Sequence, residues 1–205
     1  MEYCKNCGAL QLQRRPPHLI VIVDRSGSMR SCHEATINGF NKLVEEQKYL
    51  QGDTLLTLVQ FDTEYEVLFK DTPLHLVGRA TGRWFTPRGN TALLDAIGKT
   101  LDTGSPSEPK IVCIITDGEE NSSSQFSQEQ IRSLTKSLDS RGWTFIYQGA
   151  NQDAFKIGRN LGMTYSSNYT GDPIGTQCAY ASMSNAVSAI RSGGAVDSSF
   201  EKTSS

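Results

Sequence analysis

No apolar run in this 205-residue chain is long enough to cross a bilayer: the longest wholly apolar stretches, residues 19–23 and 111–115, fall far short of the roughly 20 residues needed. An excess of one charge is also missing. Lys plus Arg number 20 against 22 Asp plus Glu, a formal charge of −2, so neither a phosphate backbone nor an anionic membrane surface is an expected partner. The five cysteines are sparse and odd in number, without the spacing of a secreted disulfide framework, and reduced thiols are expected. No apolar signal core follows residues 1–5, so the expectation is a soluble, cytoplasmic protein. A phosphate loop of the form Gly-x-x-x-x-Gly-Lys is absent, and His18, His33 and His75 recur in no recognisable hydrolase motif.

The length and the 37% hydrophobic content suit one domain, able to bury roughly 70% of its unfolded surface. Residues 1–17, with Cys4-x-x-Cys7 and the stiff Arg14-Arg15-Pro16-Pro17, read as an N-terminal extension. The domain proper is expected over 18–191. The β-branched runs 19–23 and 110–116 predict strands buried on both faces, each stopping at a polar loop. Helical periodicity predicts helices over 33–49, 92–103, 127–140, 153–161 and 174–191, the third opened by the capping-box pattern Ser127-x-x-Gln130. Segments 55–61 and 65–69 flank Asp62-Thr63-Glu64 and predict an antiparallel hairpin; a strand is expected at 144–148 and a last edge strand at 163–166. Residues 192–205 are small and polar and are expected to be disordered. The alternation implies an α/β domain with a mostly parallel sheet and helices on both faces.

Asp24, Ser26 and Ser28 place three oxygen donors at i, i+2 and i+4, with Gly27 letting the backbone fold inward. Such a set suits a small, hard cation: Mg²⁺ takes near-octahedral oxygen ligation with few charged ligands. On spacing alone, Asp-x-Ser-Gly-Ser is equally a turn motif, since all its residues favour turns. Asp117 ends the second buried strand, and sites in open parallel sheets form at carboxyl ends of strands, so two carboxylates are expected over one crevice. Thr91, after Gly89-Asn90, reads either as a further hydroxyl ligand or as an ordinary first-turn residue.

Together, Val-Asp24-Arg-Ser26-Gly-Ser28-Met, Gly-Asn-Thr91-Ala-Leu-Leu-Asp-Ala-Ile and Ile-Thr-Asp117-Gly-Glu-Glu-Asn resemble the three metal-binding segments of von Willebrand factor A (vWA) domains, in order and spacing. The similarity covers about residues 18–191 and is nearest to the stand-alone intracellular type of bacteria and their phages. It implies a Rossmann-like vWA fold with one antiparallel edge strand and a metal-ion-dependent adhesion site (MIDAS) holding Mg²⁺ or Mn²⁺. By the same resemblance Ser26 and Ser28 are direct ligands, Thr91 is direct or water-bridged, and Asp24 and Asp117 act mostly through water. A vacant coordination position would then accept a carboxylate from another protein. No motif specifies that partner.

Several features stand beside this site. Glu119 and Glu120 follow Asp117 and read as a solvated loop or as a second cation attractor. Arg79, Arg83, Trp84 and Arg88 cluster before Thr91 and, with Glu119 and Glu120, form a candidate partner-binding rim, the alternative for Trp84 being packing against the domain. Trp143 and Tyr147 are expected in the core. Cys4 and Cys7 make half a Zn²⁺ site; structural zinc needs four ligands, and a shared dimer site, a partner-supplied half or free thiols all remain open. The competing function is a metal-dependent hydrolase in which Ser26 or a metal-bound water attacks an ester or phosphate, which requires a base positioned by a third group.

Overall fold

The computed structural model describes residues 17–102 and 108–202. Seven strands form one sheet in the order β3-β2-β1-β4-β5-β6-β7. They are β1 His18–Asp24, β2 Leu55–Phe61, β3 Tyr65–Pro73, β4 Lys110–Thr116, β5 Thr144–Ala150, β6 Tyr165–Tyr169 and β7 Glu201–Lys202. Strands β2, β1, β4, β5 and β6 run parallel, and β3 pairs antiparallel with β2 at one edge. Among the described residues five α-helices cover it: α1 His33–Lys48, α2 Leu93–Asp102, α3 Gln128–Asp139, α4 Ala154–Leu161 and α5 Pro173–Ser192. This is the doubly wound, Rossmann-like α/β architecture expected from the alternation of strands and helices.

The continuous apolar character of β1 and β4 follows from their central place. Leu19, Val21 and Val23 face α1 and α5, packing with Phe40, Leu43, Tyr180 and Met183, whereas Ile20 and Ile22 face α2, α3 and α4 with Leu93, Ile97, Ile131 and Leu161. Both faces of each strand are therefore dry, and alternation with polar residues has no use there. Right-handed crossovers require this split: the chain moves one way from β1 to β2 through α1 and the other way from β4 onward through α3 and α4, so their helices lie on opposite faces. Helices α1 and α5 approach closely because residue 39 is glycine: a Cβ there would sit 2.5 Å from the Tyr180 ring. Trp143 and Tyr147 are core residues, 1% and 0% exposed.

Three segments depart from the sequence reading. The polar stretch after β1 is not plain loop, since Gly27–Cys32 forms a 3₁₀ turn leading directly into α1. Strand β6 spans Tyr165–Tyr169 and is no edge, because β7 pairs antiparallel beyond it, Tyr165 with Lys202 and Ser166 with Glu201. The tail expected to be disordered from residue 192 is thus in part structured. Gly193, at φ 72°, ends α5 in the left-handed conformation that glycine adopts without steric cost, and the chain turns back so that Phe200 is buried in the α1/α5 core. One aromatic side chain offsets ordering entropy that the small polar neighbours could not. The N-terminal extension with Cys4 and Cys7 lies outside the described residues.

Phe200→Ala should lower stability by about 3 kcal/mol, the cost of emptying a buried aromatic site. Urea unfolding monitored by circular dichroism measures it; a change within about 0.5 kcal/mol, as for a surface residue, would show that the tail contributes nothing.

Candidate metal centre

Strands β1 and β4 are neighbours, paired through Val23 and Ile115, and their next turns diverge to opposite sides of the sheet. Asp24 and Asp117 consequently meet over the crevice between them, 0% and 4% exposed. Asp24 is fixed at both oxygens. Its Oδ1 accepts from the Ser26 amide at 2.6 Å and its Oδ2 from the Thr116 hydroxyl at 2.6 Å. Ser28 donates its hydroxyl to Asp117 Oδ1 at 2.5 Å, and its Oγ lies 3.0 Å from that of Ser26.

Thr91 arrives from the other side. Its amide donates to Asn121 Oδ1 at 2.9 Å and its carbonyl accepts the Asn121 amide at 3.1 Å, so the loop after β4 clamps the residue that opens α2. Gly118 lies at the centre. A Cβ placed on it would stand 3.1 Å from Thr91 Oγ1, 3.5 Å from Ser28 Oγ and 3.9 Å from Asp24 Oδ2. Oxygens from the segment after β1 and from the Thr91 loop therefore converge, beside the segment after β4, on a cradle that a side chain at 118 would fill.

Burial pushes the Asp24 carboxyl up to about 6, partly countered by the Thr116 and Ser26 hydrogen bonds and raised further by Asp117. Burial also raises Asp117, against the bond from Ser28. Among the described residues no cationic side chain pairs with either carboxylate; the adjacent Arg25 instead binds Asp62 Oδ2 at 2.9 Å and Glu66 at 2.6 Å. Nor, among the described residues, do three or more His, Cys, Asp or Glu side chains come together in an arrangement that could hold a metal ion. The donor set is two carboxylates and three hydroxyls, all hard oxygen, which fits a small oxygen-seeking cation and lacks the nitrogen and sulfur that zinc usually selects.

All five sequence-expected ligands, Asp24, Ser26, Ser28, Thr91 and Asp117, are thus brought together, only Ser28 being exposed. The rim residues are gathered only in part. Trp84 is half-buried, edge-on to Phe40 and Phe85 with ring centroids 5.4 and 5.8 Å away, so packing holds it. Arg83, Trp84 and Arg88 line one groove of about 410 Å³ with Arg25, while exposed Arg79 is not part of it. Arg88 is engaged, its Nε donating to Asp62 at 3.0 Å and a terminal nitrogen to Glu64. Glu119 is exposed, whereas Glu120 is half-buried and engaged in hydrogen bonds. Its carboxylate accepts from the amides of Leu94, Ser122 and Ser123, stapling the loop after β4 to the start of α2.

The sequence reading missed residues that work by hydrogen bonding to backbone. Asp95 accepts the amides of Ser124, Gln125 and Phe126, which hold it below the usual carboxylate range despite burial. Thr116 and Asn121 lie inside the motifs but were given no role, and Asp62 lies outside them. The sequence signal for such parts is a polar residue at or just past a strand end, as at Asp62, Thr116 and Asn121, or an acidic residue in a helix's first turn, as at Asp95. Of the cysteines, Cys32 and Cys113 are buried and free, Cys178 is exposed and free, and Cys4 and Cys7 lie outside the described residues.

A family profile described as von Willebrand factor type A domain matches residues 18–141, and the chain belongs to that family. No curated protein sequence matches it significantly. Solved structures share its fold. A von Willebrand factor type A protein from Catenulispora acidiphila is 18% identical with a TM-score of 0.61, covering 85% of this chain and 43% of its own. The ArnB paralog VWA2 from Sulfolobus acidocaldarius is 19% identical with a TM-score of 0.58, covering 82% and 45%. Proximal thread matrix protein 1 from the mussel byssus, solved with a zinc-occupied MIDAS motif, is 14% identical with a TM-score of 0.60, covering 85% and 48%. This chain spans less than half the length of each.

The raised Asp24 carboxyl makes a pH prediction for the metal-free protein. A folded-state value of about 6 against an ordinary 3.8 means that ionisation of Asp24 opposes folding, so this group's contribution to stability rises as pH falls through 6 toward 4. Buried His18, held below its usual value by burial and Lys110, acts oppositely below its unfolded value of about 6.5, so the comparison must isolate Asp24. In EDTA, Asp24→Asn should exceed wild type in stability at pH 7.5 by about 2 kcal/mol, and that advantage should shrink at pH 5. Urea unfolding at the two pH values measures it; a pH-independent difference would refute the shifted carboxyl.

Proposed function

We propose that the chain is a divalent-cation-dependent protein-interaction module, holding Mg²⁺ or Mn²⁺ at Asp24, Ser26, Ser28, Thr91 and Asp117 and capturing a partner through an acidic side chain. One observation carries the reading: two buried carboxylates beside three converging hydroxyls, with no cationic side chain paired to either among the described residues. When bound, the cation supplies a coordination position that an incoming carboxylate oxygen can occupy. The protein's residues do the rest. Thr116 and the Ser26 amide orient Asp24, Ser28 bridges toward Asp117, and Asn121 presents Thr91. If Asp24 and Asp117 act mostly through water, as the family resemblance implies, the direct donors are hydroxyls and the ion would keep enough positive charge to favour a charged partner group over water.

The mussel protein with zinc at its MIDAS motif supports metal occupancy of this kind of site. The hydrolase reading finds less support. The Ser26 hydroxyl is shared with Ser28, and His33, the nearest histidine in sequence, places its Nε2 2.8 Å from the Phe85 carbonyl. His18 sits at the opposite end of β1, with Nε2 3.0 Å from Thr57 Oγ1. No helix among the described residues is long and apolar enough to cross a membrane. We propose a cytoplasmic module with a protein as partner, and the near-neutral net charge supports a protein over nucleic acid.

Isothermal titration should show Mg²⁺ binding to wild type that Asp117→Asn weakens at least tenfold, since it removes one of two carboxylate charges. Equal titrations would sink the site. In a host-lysate pull-down, an acidic partner should be retained with Mg²⁺ and lost in EDTA or with Thr91→Ala, which removes one hydroxyl and no core packing. Retention in EDTA would refute capture through the metal, and a wild-type turnover abolished by Ser26→Ala would favour the hydrolase.

A further inference from the structure

We infer that Asp62, a residue outside the three metal-binding segments, sets the spacing between the two loops that carry the serine and threonine ligands, and thereby the preference for a small over a large divalent cation. The inference rests on the cation reading above. Asp62 is 1% exposed and directly follows β2. Its Oδ2 accepts from Arg25 Nε at 2.9 Å and from Arg88 Nε at 3.0 Å. Its Oδ1 accepts the Glu64 amide at 2.7 Å, and its carbonyl accepts the Ala92 amide at 3.0 Å.

The positions of those partners matter. Arg25 lies between Asp24 and Ser26, Arg88 lies three residues before Thr91, and Ala92 directly follows it. One buried carboxylate thus ties the Ser26/Ser28 loop to one end of the Thr91 loop, and its own carbonyl holds the other end. Main-chain bonds complete the frame: Arg25 amide to Phe61 carbonyl at 2.6 Å, Arg88 amide to Arg25 carbonyl at 2.8 Å, Gly27 amide to Gly89 carbonyl at 3.2 Å. Burial works against the Asp62 charge, but the Glu64 amide and the two guanidinium groups outweigh it and hold the carboxyl below its usual range. The tie is therefore ionised wherever the protein is folded at neutral pH.

Spacing of this kind matters unequally to different ions. Mg²⁺ demands near-ideal octahedral oxygens at about 2.0–2.1 Å, whereas Ca²⁺ accepts about 2.3–2.6 Å and irregular shells. Loops held at a fixed separation favour the smaller ion. Loops free to drift lose that preference before they lose binding altogether. Asp62 is a positioning residue in this sense: it acts on the cation only through the loops.

The test is calorimetric titration of the full chain with MgCl₂ and with CaCl₂, well below the melting temperature, for wild type, Asp62→Asn and Arg88→Ala. Asp62→Asn keeps the shape and removes the charge. Arg88 is 53% exposed, so its truncation severs one tie without opening the core. Asp62→Asn should weaken Mg²⁺ about tenfold, the scale seen when residues orienting metal ligands are lost, and Ca²⁺ less than about threefold. Arg88→Ala should shift the ratio the same way by a smaller factor, and it decides the matter if Asp62→Asn does not fold. Equal losses for both ions, or lowered thermal stability with an unchanged Mg²⁺/Ca²⁺ ratio, would reduce Asp62 to a stabilising residue and overturn the inference alone. Failure of wild type to bind either ion would overturn it together with the cation reading.

Discussion

The pairing of β1 with β4 brings two carboxylates, Asp24 and Asp117, into one buried crevice, and much of the surrounding structure serves to hold them there. Buried ionised carboxylates are costly unless hydrogen-bonded or neutralised. Here hydrogen bonds are supplied by Thr116, Ser28 and the Ser26 amide, while the nearby guanidinium of Arg25 is turned to Asp62 and Glu66. The raised carboxyl of Asp24 is the electrostatic consequence. Neither carboxylate has a cationic side-chain partner among the described residues, and this links the packing of the sheet to the proposed function.

Acidic side chains do a second job around the crevice. Glu120 and Asp95 accept backbone amides of the loop after β4 and the first turn of α2, and Asp62 ties Arg25 to Arg88. Each satisfies amides or guanidinium groups that a short, irregular loop would otherwise leave unpaired. These carboxylates are committed to internal partners and so contribute little to the surface that meets another molecule. Among the residues expected to form a rim, that leaves Arg79, Arg83 and Glu119 with no salt bridge among the described residues, while Trp84 belongs to the packing around Phe40 and Phe85.

Local pattern was enough to place the central strands and, together with the resemblance of three segments to vWA domains, to pick out five oxygen-bearing residues that the fold brings together. An unbroken β-branched run that stops at Asp is visible in residues 18–24 and 110–117, and strand burial on both faces leaves little choice about where such a run lies. The capping box at Ser127 and Gln130 formed as the spacing predicted, because both of its hydrogen bonds span only three residues. Order and spacing of the metal-binding segments also carried the family, since they depend on strand and helix ends already marked by composition.

Contacts between residues distant in the chain were not readable in this way. Phe200 returns to the α1/α5 core only because Gly193 reverses the chain, and the strand it permits closes an edge that local sequence assigned to residues 163–166. Asp62 looks like a hairpin residue in the sequence and becomes a tie between two loops 37 and 26 residues away only when the sheet is assembled. The sequence by itself determined which oxygen donors exist and which strand and helix ends carry them, because those follow from periodicity and turn chemistry over a few residues. The tertiary structure alone decided how those ends are spaced and charged, because spacing depends on hydrogen bonds across the sheet and charge depends on burial that no short window of sequence contains.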